Sequence, residues 1–428
     1  MTNGALGTLD PTLLLNDLYT LRLTVVDRAN NTAETSIQVQ VAREQKVGNF
    51  TLAFQDLSLP MACLPLTVTR VYDSRDKTRG DFGIGWRLDV QTLRLRDSRE
   101  AGSAWHVDLI DVPGPFGVPI PTFFLLEDDV HKVSLTLPDG HVEEFDLTPT
   151  PSQSQFAPLQ QVTAAYTPRP GTLGALTSVP AADRTLFLTD TTGPVTLTTA
   201  EASTFNPRTF EYTTPDGTVF TIDKVTGVQQ VQCANGPTLT IGPTGITHSL
   251  GTGVTFARDA QGRITTITDP NGHVRQYAYD ANGDLISTTD PEGQTTRSLY
   301  NVQHGLLEIT DPRGVRAIRN EYDDNGRLLS HTDAAGQAIT YTRDLVARTE
   351  TVTNRLGQAT TYEYDDKGNV LRQIDTAGGS TTFTYDAFGN ELTRTARAHD
   401  RAYVRQPLQR AQGTRSARQR DPLYVHCA

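Results

Sequence analysis

Asp280-x-Asn282-x-Asp284 places three oxygen-bearing side chains at alternate positions, the spacing that opens an EF-hand calcium loop. Such a loop needs a bidentate glutamate at its twelfth position, and Pro291 stands there instead. The Gly-Gly-x-Gly-x-Asp pattern of calcium β-rolls is also missing, so these carboxylates are read as turn caps and no metal ligand is assigned. Adjacent carboxylates such as Glu143-Glu144 and Asp323-Asp324 invite a glycosidase reading. That chemistry depends on a separation in space, which adjacency in sequence does not supply. The nine histidines (106, 131, 141, 248, 273, 304, 331, 399 and 426) show no metal-binding spacing. No nucleophile elbow, Walker loop, HExxH or SxxK occurs. The glycine-rich GDFGIGW (80–86) lacks the lysine and following helix of a phosphate cradle, and is read as a tight structural corner around Phe82 and Trp86. Cys63, Cys233 and Cys427 lie far apart without a CxxC pair, which predicts isolated thiols rather than a disulfide framework or a zinc site. No catalytic, cofactor or metal residue is assigned, and the chain is read as non-enzymatic.

The carboxylates that resemble ligands recur at a fixed interval. Asp259, Asp280, Asn301, Asp323, Asp344, Asp365 and Asp386 are spaced 21, 21, 22, 21, 21 and 21 residues apart. A second series falls between them, Asp269, Asp290, Asp311, Asp333, Asn354 and Asp375, each followed three residues on by glycine. Two interlocked series at one period are an internal repeat and not a composition bias. Within one repeat Tyr277 and Tyr279 share a sheet face, and Asp280-Ala281-Asn282-Gly283 fits a turn closed by a left-handed residue. Asp290-Pro291-Glu292-Gly293 supplies a similar turn at the other end. Each unit is therefore two short strands and two tight turns, and stacking them predicts one long antiparallel strip. The tyrosines (277, 279, 300, 322, 341, 362, 364 and 385) are open to two readings, a sugar-binding track or a ladder of same-face neighbours; their regular spacing favours the ladder.

Around this strip the chain divides by pattern. Alternating Leu21, Leu23, Val25 and then Ile37, Val39, Val41, with a turn at 27–31, predict a hairpin within 1–45, the remnant of an immunoglobulin-like sandwich. Residues 46–205 are expected to form an opening β-region with long loops, including the loop or edge signal PGPFGVPIP (113–121). Residues 148–200, rich in Thr, Pro, Ala and Gly, are expected as surface loops with short strands. Repeats then fill 206–396. From Arg394 to Ala428 eight arginines stand against Asp400 and Asp421, so 397–428 is expected to be a disordered basic tail. The abrupt stop of the repeat after Thr395 suggests a fragment of a longer protein.

Bulk properties narrow the function classes. A net charge of −11 argues against a nucleic-acid-binding body. The apolar content of 37% suits a strand-rich wall with one wet face. The N-terminus lacks a basic region followed by an apolar stretch, so no signal peptide is read, and no stretch of 18 apolar residues would span a membrane.

The pattern Tyr-Asp-x-x-Gly-x-Leu stands here as YDANGDL (279–285), YDDNGRL (322–328), with the related YDDKGNV (364–370) and YDAFGNE (385–391). It resembles the YD repeat of the RHS family, and PLTVTRVYDSRDKTRGDFGIGWRLDV (65–90) resembles the segment that opens the shell in bacterial members. The resemblance covers roughly residues 46–395. It implies an all-β strip spiralling into a hollow shell, shared with toxin-complex C components and teneurins. In bacterial members such a shell encloses a C-terminal toxin; other copies are surface proteins that contact cells or carbohydrate. The implied partners are the remainder of the parent polypeptide or a toxin domain, or else surface glycans, with the parent secreted or at the cell surface. Three departures stand out: Asn301, with one extra residue expected before Gly305; Arg343 in place of tyrosine; and the glycine-free turn at 344–347.

Overall fold

The structure, a computed structural model, describes residues 14–15, 17–26, 30–41, 48–61, 64–234, 236–366, 368–386 and 391–397. The expected basic tail beyond residue 397, the first part of the turn at 27–31, the turn glycine at 389, Cys63 and Cys427 lie outside them.

A 20-stranded antiparallel sheet dominates the molecule. It opens with Ala175–Val179, which pairs with Thr209–Thr213. From there every strand pairs with the next in sequence as far as Glu391–Arg397. The strip is therefore longer than the ladder that begins at Asp259. Its first strand comes from the stretch expected as surface loops. Leu176 is drawn in because Tyr212 is buried beside it, and Gly174 leaves the room: a Cβ there would meet the Tyr212 ring at 2.2 Å.

The repeat unit follows from its turn residues. In the turn at 280–283 the Gly283 N–H donates to the Asp280 carbonyl (3.2 Å), and Gly283 takes φ +97°. The Asp280 carboxylate accepts the Asp284 N–H at 2.9 Å, so the side chain caps its own turn. Asp311, Asp323, Asp333 and Asp375 make the same i+4 bond at 2.8 to 3.0 Å.

Each YD turn is followed by a β-bulge. Tyr279 pairs with Leu285 while Ala278 pairs with Ser287, which leaves Ile286 between them without a partner. The same slip sets aside Thr265, Leu307, Leu329, Leu371 and Leu392. A bulge of this kind aims two consecutive residues differently. Ile264, Leu285, Leu306 and Leu328 are buried in the core, while Ile286, Leu329, Leu371 and Leu392 point to solvent.

Two of the sequence departures are relocated. Asn301 to His304 make a turn of ordinary length, with His304 at φ +61° in the slot that glycine holds elsewhere. The extra residue is Ala317 in the strand Arg316–Tyr322, a bulge between the pairs Thr310–Arg316 and Ile309–Ile318. In the turn after Asp344 the left-handed residue is Arg348 at φ +55°, and Asp344 accepts the N–H groups of Val346 and Ala347.

Smaller sheets precede the strip. Thr51–Leu59, Leu66–Asp73 and Trp86–Leu88 make a three-stranded sheet whose apolar side joins the main core from Phe50 to Leu328. A second core gathers Trp105, Val107, Phe123, Leu125, Leu186 and Phe205. Asp17–Val26 and Thr32–Val41 pair as a hairpin along their full length, and Arg96 reaches Asp17 at 3.6 Å.

Cys233 is disulfide-bonded, which corrects the expectation of isolated thiols. Spacing along the chain carries no information about which cysteines a fold brings together.

Asp223 yields a pH prediction. Burial pushes its carboxyl up, but the Arg208 guanidinium and the N–H groups of Thr226 and Val225 (2.8 Å each) outweigh this and hold it at about 2. The folded value lies below the ordinary one. Its stabilisation is therefore present above about pH 4 and lost as the pH falls towards 2. The urea midpoint of the wild type should exceed that of Asp223→Asn at pH 6, and the gap should close progressively below pH ~4.

Candidate functional site

The feature that distinguishes this strip from a bare ladder is where the opening segment crosses it. A bulge frees a backbone N–H that the ladder no longer uses. Three of the four repeat bulges between Ile264 and Leu328 hand that donor to the opening segment. The Ile264 N–H donates to the Asp81 carbonyl (2.7 Å), the Leu306 N–H to the Tyr72 hydroxyl (2.9 Å), and the Leu328 N–H to the Gly48 carbonyl (2.8 Å). Between the first two, the Ile84 N–H donates to the Gly283 carbonyl at 3.1 Å. Four consecutive repeats are thus held by one segment about forty residues long, which runs from Gly48 at Leu328 back through Tyr72 at Leu306 to a corner where Asp81 meets Ile264 and Ile84 meets Gly283.

Side chains reinforce this docking. The Tyr72 hydroxyl also donates to the His304 carbonyl (2.9 Å), and the Trp86 Nε1–H donates to the Tyr300 hydroxyl (2.8 Å). Arg258 reaches Asp81 at 2.8 Å, and Gln91 both donates to and accepts from the backbone of Val228 at 2.8 and 3.0 Å. The glycines of the GDFGIGW corner make the approach possible. A Cβ on Gly83, at φ +95°, would sit 2.5 Å from the Gly283 carbonyl, and one on Gly80 would sit 2.1 Å from the Trp86 carbonyl.

The tyrosines close the strip on itself. The hydroxyls of Tyr279, Tyr322 and Tyr385 donate to the carbonyls of Ile264, Leu306 and Val370, one turn of the repeat behind each ring. Burial pushes the Tyr279 and Tyr322 phenols well above their ordinary value, so both stay protonated as donors at any physiological pH. Arg343 keeps the contact with different chemistry: its guanidinium donates to the Leu328 carbonyl while pairing with buried Glu350 at 2.9 Å. The substitution that breaks the sequence pattern preserves the bond.

The candidate chemistry of the sequence does not converge. The Asp280 carboxylate is occupied by the Asp284 N–H, and Asp284 turns away, buried, to meet His304 Nδ1 at 2.9 Å. Burial raises the Asp284 carboxyl, with His304 opposing the shift. Glu143 and Glu144 point to opposite faces of the strand Val142–Leu147. Glu143 is buried on the N–H groups of Leu173 and Gly174 (3.1 and 3.2 Å), and Glu144 pairs with Lys132 at 2.6 Å. Asp323 caps a turn through the N–H groups of Asn325 and Arg327, at 2.9 Å each. Among the described residues no group of three His, Cys, Asp or Glu side chains could hold a metal ion.

A cavity of about 390 Å³ sits where the opening segment meets two repeat turns, lined by Gly48, Ser74, Arg75, Lys77, His304 and Gly326 among others. Its arginine is already committed, Arg75 pairing with Asp73 at 2.5 Å. Sequence reasoning singled out the turn aspartates and the ladder tyrosines but not Tyr72, Asp81 or Gly48. The near-regular spacing of Ile264, Leu285, Leu306 and Leu328, 21, 21 and 22 residues, was a signal for the bulges, yet it does not say what covers them.

The model described as RHS Repeat matches residues 242–274, 279–316, 322–346 and 364–401. The model described as Domain of unknown function (DUF6531) matches residues 46–110, the docking segment with the start of the second core. Neither description names a catalytic activity. No curated protein matches the chain. Among solved structures it is similar to the crystal structure of TcdB2-TccC3-TEV, at 13% identity and TM-score 0.26 over 67% of this chain and 22% of that one. It is similar also to TcdB2-TccC3 without its hypervariable C-terminal region, at 12% identity and TM-score 0.24 over 88% of this chain and 26% of that one. A third is the Photorhabdus luminescens Tc holotoxin pore with a mutated TccC3, at 15% identity and TM-score 0.24 over 65% and 20%. The chain spans 20 to 26% of the length of these structures. The 21-residue turn-and-bulge unit of this chain is an RHS repeat, matched at four places between residues 242 and 401 by the repeat model.

Proposed function

We propose that the chain is a structural, non-enzymatic segment of an RHS-type β-shell whose role is to encapsulate or present another polypeptide. The occupant would be the remainder of the parent RHS polypeptide or a toxin domain. One observation carries this reading: the repeat aromatics are turned to internal use. Tyr277 and Tyr364 are buried, and Tyr279, Tyr300 and Tyr322 spend their hydroxyls on the strip or on the opening segment. A glycan-binding track needs ring faces and hydroxyls open to solvent. The opening segment (46–205) would serve as the end of the shell, the repeats (206–396) as its wall, and residues 1–45 as part of a preceding immunoglobulin-like module. A disulfide at Cys233 supports a parent that folds in an oxidising compartment and is secreted or displayed at the cell surface. No helix of the described residues is long and apolar enough to cross a membrane.

Protease protection tests the reading. The chain is co-expressed with the rest of its parent polypeptide, and tryptic digestion of that remainder is followed over time. Enclosure should slow its cleavage at least ~tenfold relative to the same polypeptide expressed alone, because digestion then depends on rare opening. Equal rates in both settings would overturn encapsulation. Saturable, ring-dependent binding on a glycan array would replace it with the surface-contact alternative.

A further inference from the structure

Trp105–Pro113 and Pro119–Glu127 pair along their whole length, from Trp105 with Glu127 to Pro113 with Pro119. The root of this hairpin is fixed: Trp105, Val107, Phe123 and Leu125 are buried in the second core. Gly193–Val195 flanks one edge at residues 105–107, and Gln153–Gln155 flanks the other at 122–124. Past these contacts the hairpin continues as an arm with no strand on either side among the described residues.

The arm is apolar where a soluble arm would be polar. Leu109 is 52% exposed and Ile110 47%, and as consecutive strand residues they lie on opposite faces. At the tip Phe116 is fully exposed, held at φ +60° between Pro115 and Gly117. A non-glycine residue adopts that conformation only at a cost, and here it aims the ring away from the protein. Val118 beside it is 61% exposed.

The backbone of the tip is also short of groups that need water. Pro113, Pro115, Pro119 and Pro121 carry no N–H. The N–H of Gly114 donates to the Val118 carbonyl (3.0 Å), that of Gly117 to Gly114 (3.2 Å), and that of Val118 to Pro115 (3.3 Å). Leaving water therefore costs this loop little, whereas an ordinary loop would surrender several hydrated donors.

We propose that this arm docks on the surface of an electrically neutral lipid bilayer, with Phe116 entering first. A rigid protein partner would cover one face of a two-stranded arm, whereas acyl chains surround both. Residues 106–126 contain no lysine or arginine and carry Asp108 and Asp111, so the arm is matched to a zwitterionic surface and repelled by an anionic one. The docking is peripheral, anchored by a tip and not by a spanning element.

Co-sedimentation of the full chain with phosphatidylcholine vesicles tests it. The wild type should sediment with them, and adding phosphatidylglycerol to the vesicles should weaken binding. Phe116→Asp should lower the partition coefficient about tenfold or more, and Phe116→Leu should retain most of it. Residue 116 touches no core, so an unchanged thermal midpoint of Phe116→Asp shows that folding is intact. Phe116→Trp gives a second readout, a blue-shifted and strengthened emission on lipid addition. Absence of wild-type binding overturns the proposal, as does equal binding by Phe116→Asp or stronger binding to the anionic vesicles. Light scattering without lipid covers the remaining occupant: a wild-type dimer that Phe116→Asp converts to monomer would make the arm a contact between copies and overturn the proposal.

Discussion

Trp86→Ala should destabilise the folded chain by about 3–5 kcal/mol, read as a lower urea midpoint. The indole is completely buried, with its centroid 5.1 Å from the Tyr72 ring and 6.1 Å from the Phe54 ring. Truncation leaves a cavity that two strands and a repeat cannot all collapse into, and that cavity term adds to the lost burial. It also removes the Nε1–H that donates to the Tyr300 hydroxyl, a group that burial keeps protonated. The damage should be spatially selective. The amides of Ile264, Leu306 and Leu328 are bonded to the opening segment, so their hydrogen-exchange protection should fall together. Amides of strands such as Thr349–Thr353, which pair only within the strip, should keep theirs. A loss below ~1 kcal/mol, or unchanged exchange at the three bulge amides, contradicts the idea that the segment is held through this ring.

The sequence revealed those parts of the molecule whose causes are local. Asp280 and Gly283 lie within one turn, and their capping bond and positive φ follow from residue type alone. The two turn series then force an antiparallel strip, which is why its sequential order was readable. What escaped detection depends on distant or backbone groups. Asp81 and Gly48 contribute carbonyls, which every residue possesses, to bulges 183 and 280 residues away. Ala317 was misplaced because an extra residue shifts the spacing equally from a turn or a strand, and only the register of Ile309 with Ile318 decides between them. Arg343 looked like a loss because a pattern compares residue names, whereas the Leu328 carbonyl requires only a donor long enough to reach it. His304 illustrates the converse, a residue that breaks the glycine rule and is held by Asp284 and Tyr72.

A near-identical repeat poses a problem that the docked segment must solve: Trp86 would meet a tyrosine at 279 or 322 as readily as at 300. The discriminating contact is Asp56. Its carboxylate accepts the Tyr277 hydroxyl at 2.7 Å and pairs with Arg70 at 2.6 Å, with only 3% of the Asp56 side chain and 7% of the Arg70 side chain exposed. One repeat back or forward the place of Tyr277 is taken by Phe256 or Ser298, which leaves Asp56 without the phenol. Asp56→Ala should therefore be costly, about 3–5 kcal/mol, because it strands the Arg70 guanidinium between Phe54 (4.5 Å) and Trp86 (5.1 Å) without its close counter-charge. Arg275 approaches at 3.9 Å and adds a second cation to the same vacancy. Replacing both partners, Asp56→Ala with Arg70→Met, should recover much of the loss, since an apolar pair no longer needs desolvated charge. The double-mutant cycle should yield a coupling of at least ~2 kcal/mol, and a coupling near zero would remove the ion pair from the account. The recovered double variant also isolates register from stability. With the polar cluster gone, protection at Ile264, Leu306 and Leu328 should become heterogeneous, as neighbouring repeats compete for the segment that Asp56 had confined to one position.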